Sequence, residues 1–318
     1  MKKILVLGGT GFVGRHLCEK LNRAGIRVTL PTRKLENARQ VQSLPLVDVI
    51  VANVHVESEL VALMTGVDAV VNLVAILHGS QGDFTRAHVT LPQTLVRACQ
   101  AAGVKRVVQV SALGAALDAP SMYQRSKAQG EQVLQSAGLN LTVLRPSVIF
   151  GAEDKFLNVF AKLQQVFPVI PLAGAGTKFQ PVWVEDVAQA VVNCLMQPTT
   201  SGHIYEACGP DVFTLAQLVQ LAGRVSGANH GQGRPVFPLP LGLGRLQATL
   251  MSLAPGEPLM SRDNLDSMAV DNVSSGQQPG LVGLGITASS LAGVAPSYLS
   301  IASKRSVFQN LRARAGRG

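Results

Sequence analysis

The sequence predicts an α/β protein, a doubly wound parallel sheet with a smaller C-terminal lobe. Three observations predict it. Short β-branched runs alternate with helix-length segments, as in successive βαβ units. A glycine cluster separates the first run from the first helix. With 318 residues, 47% of them apolar and 15% charged, the chain can fill an α/β core and a second lobe.

The elements follow in order. Strands are expected at Lys3 to Leu7, Arg27 to Leu30, Val47 to Val51, Ala69 to Val74, Arg106 to Val110 and Leu141 to Leu144. Between them, Phe12 to Ala24, Glu57 to Met64, Phe84 to Ala102 and Met122 to Ala137 carry apolar residues at three-and-four spacing, the helical period. Gly25, Gly66, Gly103 and Gly138 stand where these helices end. Residues 1–150 thus form the main domain. After Gly151 prolines and glycines multiply, so 151–177 and 198–303 are assigned to the smaller lobe. Residues 178–197, a strand at Lys178 to Val184 and a helix at Glu185 to Met196, are expected to return to the main sheet. Residues 304–318 read as a basic tail.

The net charge of +9 has a local origin, because Lys304, Arg305, Arg312, Arg314 and Arg317 supply five of it and leave +4 for the remainder. Aromatic residues make up only 4%, and elsewhere the basic residues alternate with acids, so no nucleic-acid partner is expected. Cys18, Cys99, Cys194 and Cys208 are far apart, which indicates neither a zinc site nor a disulfide framework and fits a reducing cytoplasm. The apolar run after Met1-Lys2-Lys3 stops at Gly8, too soon for a signal peptide. Residues 272–303 are uncharged, but Gly, Pro, Ser and Gln interrupt them too often for a membrane span.

Gly8-Gly9-Thr10-Gly11-Phe12-Val13-Gly14 lies at the turn from the first strand into the first helix. The first glycine permits a tight turn, the second lets backbone N–H groups approach a pyrophosphate, and the third lets helix and strand pack closely. The helix N-terminus then faces the phosphates. This is the fingerprint of a Rossmann-type domain binding a nicotinamide dinucleotide. Cofactor choice belongs at the end of the second strand, where Leu30-Pro31-Thr32-Arg33-Lys34 has no acid. Arg33 is therefore the candidate ligand for the 2'-phosphate of NADP(H), preferred over NAD(H), with Arg15 or Lys34 assisting. The alternative is an arginine merely solvated at a loop.

Tyr123 and Lys127 stand four apart, on one helix face. A nearby ammonium favours the phenolate, which would make Tyr123 a general acid/base at neutral pH, and Lys127 could also hold a nicotinamide ribose hydroxyl. Ser111 either hydrogen-bonds a substrate carbonyl or caps a turn. The six histidines, His78 among them, lack metal-ligand spacing, and no metal is expected. Asp186 reads as a helix N-cap.

The glycine loop, Tyr123 with Lys127, the string Arg145 to Gly151 and the string Pro181 to Ala188 resemble the extended and atypical short-chain dehydrogenase/reductases. Within that superfamily Val28 to Arg33, Val110 to Ala115, Asp271 to Val273 and Leu284 to Ile286 are most similar to the nucleotide-binding accessory subunit of mitochondrial complex I and its bacterial relatives. The resemblance implies cofactor contacts at Gly8, Thr10, Gly11, Phe12, Val13, Gly14, Arg33, Asn53, Val54, Val74, Ala75, Lys127, Pro146 and Val148. It also implies an NADPH that serves structure more than turnover, and a link to respiratory or quinone metabolism. A respiratory complex or an anionic membrane surface is then the expected partner, with the protein cytoplasmic and peripheral at the inner face of a membrane. The apolar stretch Val236 to Met260 either meets that partner or forms a helix packed into the second lobe. The other functional reading is a working NADP-dependent oxidoreductase, epimerase or dehydratase on a small carbonyl or sugar-nucleotide substrate. Three positions depart from the superfamily pattern: Asn53 replaces an aspartate, His88 an asparagine, and Ala112 or Leu113 a serine.

Overall fold

The computed structural model describes residues 1–240, 242–244 and 261–300. Strands β1 (Lys3–Leu7), β2 (Arg27–Thr32), β3 (Val47–Val51), β4 (Ala69–Asn72), β5 (Arg106–Val110) and β6 (Asn140–Pro146) run parallel. A seventh strand, Ile204–Ala207, pairs in parallel with β6, and the sheet order is β3-β2-β1-β4-β5-β6-seventh. Register is carried by pairs such as Ile4 with Val28 on one side and Ile4 with Ala69 on the other. Between β1 and β4 the strand order reverses, and this opens a crevice at the carboxyl ends of the strands.

Helices cover both faces, so the strands read as continuous apolar runs rather than alternating ones. On one face Leu5, Leu7, Val70 and Val107 pack with residues of α2 (Glu57–Leu63), α4 (Leu91–Ala102) and α5 (Met122–Gln135), among them Leu60, Leu95, Ala98 and Leu134. On the other lies α1 (Phe12–Arg23), which buries Leu17, Cys18 and Leu21. The helix at Val184–Met196 packs against α1, and Glu185 ties the two by reaching His16 at 2.6 Å and Lys20 at 2.9 Å. Asp186 lies within the first turn of that helix rather than at its N-cap.

The chain divides into two compact units. The first holds Met1–Ser147, Val184–Cys208 and Ser274–Ala288, and the second the other described residues. Two sequence expectations change here. Residues 178–183 do not join the main sheet: Lys178–Phe179 pairs antiparallel with Phe213–Thr214, and Val182–Trp183 pairs with Ile149–Phe150. Pro181 has no N–H to donate, so the run breaks into two-residue pieces that pair within the second unit. The seventh place in the sheet goes to Ile204–Ala207, from a stretch that sequence pattern assigned to the smaller lobe.

The second unit has its own core, in which Leu157, Phe160 and Ala161 of α6 (Leu157–Val166) meet Leu215, Leu218, Val219 and Ala222 of the helix Leu215–Val225. The string Asp271 to Val273 is a strap within this unit. The Lys178 amide donates to Asp271 Oδ1 at 2.9 Å, and the Asn272 backbone bonds Lys178 and Gln180. Of the stretch Val236 to Met260, Val236–Leu239 is a strand beside Ile170–Ala173, not a helix. Residues 245–260 of that stretch and the basic tail 304–318 lie outside the described residues. Among the described residues no helix is long and apolar enough to cross a membrane.

Candidate functional site

The phosphate loop is built from backbone. Gly8 takes φ +78°, and a side chain there would sit 3.1 Å from the backbone of Leu73 and Val74, so the loop is pressed against the end of β4. The Gly11 amide closes the turn onto the Gly8 carbonyl at 3.0 Å. At Gly14 a Cβ would stand 2.5 Å from Gly9 Cα and 2.6 Å from the Gly8 carbonyl oxygen. Only a glycine allows that approach of helix to strand. Helix α1 has no side-chain cap and no acid in its first turn, so the amides of Phe12, Val13 and Gly14 open onto the crevice with a favourable dipole. That arrangement fits a pyrophosphate.

Around the loop, Thr32 Oγ1 donates to the Lys34 carbonyl at 2.9 Å and so turns the chain at the end of β2, leaving Arg33 exposed. Among the described residues Arg33 makes no ion pair. Burial, reinforced by the charges of Arg86 and Arg33, holds His55 below the usual imidazole range, so the two guanidinium groups lie near a neutral ring. Arg15 bends back to the Gly11 carbonyl at 3.4 Å. The Asn53 side chain accepts the His55 amide at 3.2 Å and fixes the turn after β3, where Val54 packs on the core. Val74 is held by Asn72, whose Oδ1 accepts its amide at 3.2 Å and whose Nδ2 donates to Gln109 at 2.8 Å, while Ala75 is exposed. Sequence reasoning missed Asn72 and Gln109, since a polar residue at a strand end signals nothing until its cross-strand partner is known.

The chemistry-bearing end lies on α5 and β5. Lys127 is 4% exposed; its Nζ donates to the Val110 carbonyl at 3.3 Å and stands 5.9 Å from the centre of the Tyr123 ring. Burial lowers Lys127 to about 8 against a smaller opposing pull from Glu131. Burial also pushes the Tyr123 phenol up to about 12, so the expectation that Lys127 lowers it is overturned. Desolvation governs because Lys127, lowered to about 8, has already given up its charge over the range in which the phenol ionises. Ser111, at the end of β5, is 4% exposed and its Oγ has no partner among the described residues. A buried hydroxyl left open is what a ligand would satisfy.

The helix expected at Phe84 to Ala102 is present, starts three residues earlier and contains a π-helical turn. Gln81–Thr85 forms α3, capped by Ser80 with Asp83, and Arg86–Thr90 is a π-helical turn before α4. That turn places His88, 3% exposed, between two elements: its Nε2 accepts the Ile76 amide at 3.1 Å and its Nδ1 meets Ser126 Oγ at 2.8 Å. Its carbonyl faces Gly130 of α5, where a Cβ would be 2.0 Å away. Pro146 ends β6, its carbonyl accepting the Leu113 amide at 2.9 Å. Val148 belongs to the second unit, where Asn272 Oδ1 accepts its amide at 3.2 Å. The four cysteines are free and buried.

Residues 4–208 match the family described as NAD dependent epimerase/dehydratase. The chain belongs to this family. Nicotinamide-dinucleotide binding goes with it, and the glycine loop fits that group. Among curated relatives of this epimerase/dehydratase chain, the Mus musculus protein named NADH dehydrogenase (ubiquinone) 1 alpha subcomplex subunit 9, mitochondrial, is 32% identical over 88% of this chain and 75% of its own length. The ceramide reductase of Caulobacter vibrioides is 25% identical over 71% of each. A dTDP-glucose 4,6-dehydratase from Streptomyces venezuelae, solved with NAD and TYD bound, shares the fold with a TM-score of 0.65 at 23% identity, over 74% of this chain and 84% of its own.

Proposed function

We propose that this protein holds NADP(H) in preference to NAD(H), as a slowly exchanging and largely structural group, in a role linked to respiratory or quinone metabolism. The observation that carries this reading is the likeness, over 88% of the chain, to a protein named as a subunit of NADH dehydrogenase. Two features of the site support it. Arg33, exposed at the end of β2 with no acid beside it in sequence, is suited to a 2'-phosphate. The Tyr123 phenol, pushed up to about 12, stays protonated at neutral pH and is reluctant to ionise, which suits it poorly to turnover.

In this reading the amides of Phe12 to Gly14 hold the pyrophosphate, with Gly8, Thr10 and Gly11 shaping the loop. Asn53 and Val54 border the adenine; Val74, Ala75, Lys127 and Pro146 border the nicotinamide half. When bound, the dinucleotide supplies hydride chemistry; the protein's part is to bind and orient it. The partner is a respiratory complex or an anionic membrane surface, and the protein is cytoplasmic and peripheral at the inner face of a membrane.

The second reading is an active NADP-dependent oxidoreductase, epimerase or dehydratase on a small carbonyl or sugar nucleotide. The open Ser111 hydroxyl favours it, because a buried donor at the end of β5 next to Val110, which Lys127 touches, is placed to meet a carbonyl. Tyr123 and Lys127 would then be the acid/base pair.

The test is to release and identify the nucleotide of freshly purified protein, then to follow exchange with added NADPH and NADH by fluorescence. Retained, slowly exchanging NADPH is expected. Arg33→Ala should weaken NADPH about tenfold relative to NADH. A wild-type preference for NADH would remove the Arg33 assignment, and an empty, rapidly exchanging site would favour the enzyme.

A further inference from the structure

His88 stands in a π-helical turn, a local insertion that costs regular helix hydrogen bonding and that recurs where a side chain must be aimed. It is buried, and its ring packs against Phe84 and Tyr123 with centroids 5.8 Å and 5.6 Å away. The ring reaches two elements. The Ile76 N–H can only donate, so the Nε2 that receives it at 3.1 Å carries no proton, and the ring proton is on Nδ1. That N–H is donated to Ser126 Oγ at 2.8 Å, and Ser126 Oγ in turn donates to the Tyr123 carbonyl at 2.8 Å. Ile76 follows Val74 and Ala75 on the loop after β4, while Tyr123 and Lys127 flank Ser126 on α5.

We propose that His88 is a positioning residue: as a neutral imidazole protonated on Nδ1, it locks the loop Leu73 to Gly79 against the turn of α5 that carries Tyr123 and Lys127. The requirement is specific, an acceptor toward Ile76 and a donor toward Ser126 on one rigid ring. A protonated ring would present a second donor to the Ile76 amide and break the lock. Burial and the Lys127 charge hold His88 down at about 3, so the neutral form persists across physiological pH. Gly130 belongs to the same device, since any side chain there would push the His88 carbonyl, and with it the π turn, off α5.

The link to the dinucleotide rests on the nucleotide-binding reading above; the lock itself does not. Its test uses the nucleotide-free full chain first. Nitrogen-15 NMR of the His88 ring should show a fixed Nδ1–H tautomer that does not titrate between roughly pH 5 and 8. The Ile76 amide should exchange slowly with solvent. His88→Gln places a carbonyl near the Nε2 position and should keep the Ile76 amide protected, whereas His88→Asn, whose amide imitates Nδ1, should expose it. NADPH affinity should follow, falling about tenfold in His88→Asn and far less in His88→Gln, with similar melting temperatures. A ring that titrates in that range, or Ile76 protection equal in the two variants, overturns the lock. Wild-type protein that keeps the tautomer but binds no nucleotide refutes the binding reading instead.

Discussion

At the phosphate loop the first unit exposes backbone, while at the Tyr123 end it buries polar side chains. Gly8, Gly11 and Gly14 work by absence: each removes a side chain from a place where backbone must come close, and no buried charge is involved. Lys127, Glu131 and His88 are 4%, 3% and 3% exposed, and each depends on a partner distant in sequence: Val110, Arg145 and Ile76. The comparison teaches that a steric site is complete once the local chain is folded. An electrostatic site takes its properties from everything packed over it.

Three changes would break or sharpen that contrast. The largest effect belongs to Gly14→Ala. The new methyl would meet Gly9 Cα at 2.5 Å and must displace backbone, so stability should fall by about 1–3 kcal/mol and dinucleotide binding should be lost. Thermal unfolding and a fluorescence titration check this; a variant that binds like wild type would show the loop to be looser than its geometry.

Next comes Lys127→Met. Burial holds Lys127 at about 8, below its unfolded value of 10.5, so below pH 8 it is charged in both states and the folded state bears the full desolvation cost. As pH rises from 8 toward 10.5 the folded protein releases the proton before the unfolded chain does, and stability rises. The slope is at most about 1.4 kcal/mol per pH unit. The buried cysteines, pushed up to about 12, act in the opposite direction above their usual 9, but they are common to both proteins. In denaturant unfolding, wild type should therefore gain stability relative to Lys127→Met as pH rises through that window, and a constant difference would contradict the burial of Lys127.

The smallest effect is expected from Ser111→Ala. Removing a buried hydroxyl that has no partner should leave the nucleotide-free protein unchanged or more stable, by up to about 1 kcal/mol. A melting temperature that falls would mean that the hydroxyl is already satisfied within the fold.

Much of the first unit was legible. β1, β3 and β5 begin and end where the sequence pattern places them, because apolar β-branched runs bounded by turn residues announce buried parallel strands. β4 stops at Asn72, two residues early, since the Asn72 side chain takes the Val74 amide and bonds Gln109 across the sheet. The phosphate loop was legible for the same reason as the strands: its three glycines answer to their immediate neighbours. The acid/base end was legible only as residue types. Tyr123 and Lys127 could be found at a spacing of four, but the direction in which each titrates depends on how deeply α5 is buried.

The sequence by itself determined the family, the doubly wound order up to β6, the dinucleotide loop and the place of Arg33, all of which are written in spacings of a few residues. The tertiary structure alone decided that Ile204–Ala207 rather than 178–184 completes the sheet, and that His88 sits in a π turn against α5. It also decided that the Tyr123 phenol is harder, not easier, to ionise. The physical reason is range. Backbone conformation and amphipathic period are set by neighbours along the chain, whereas strand pairing at the sheet edge, burial and desolvation are set by segments that meet only after folding.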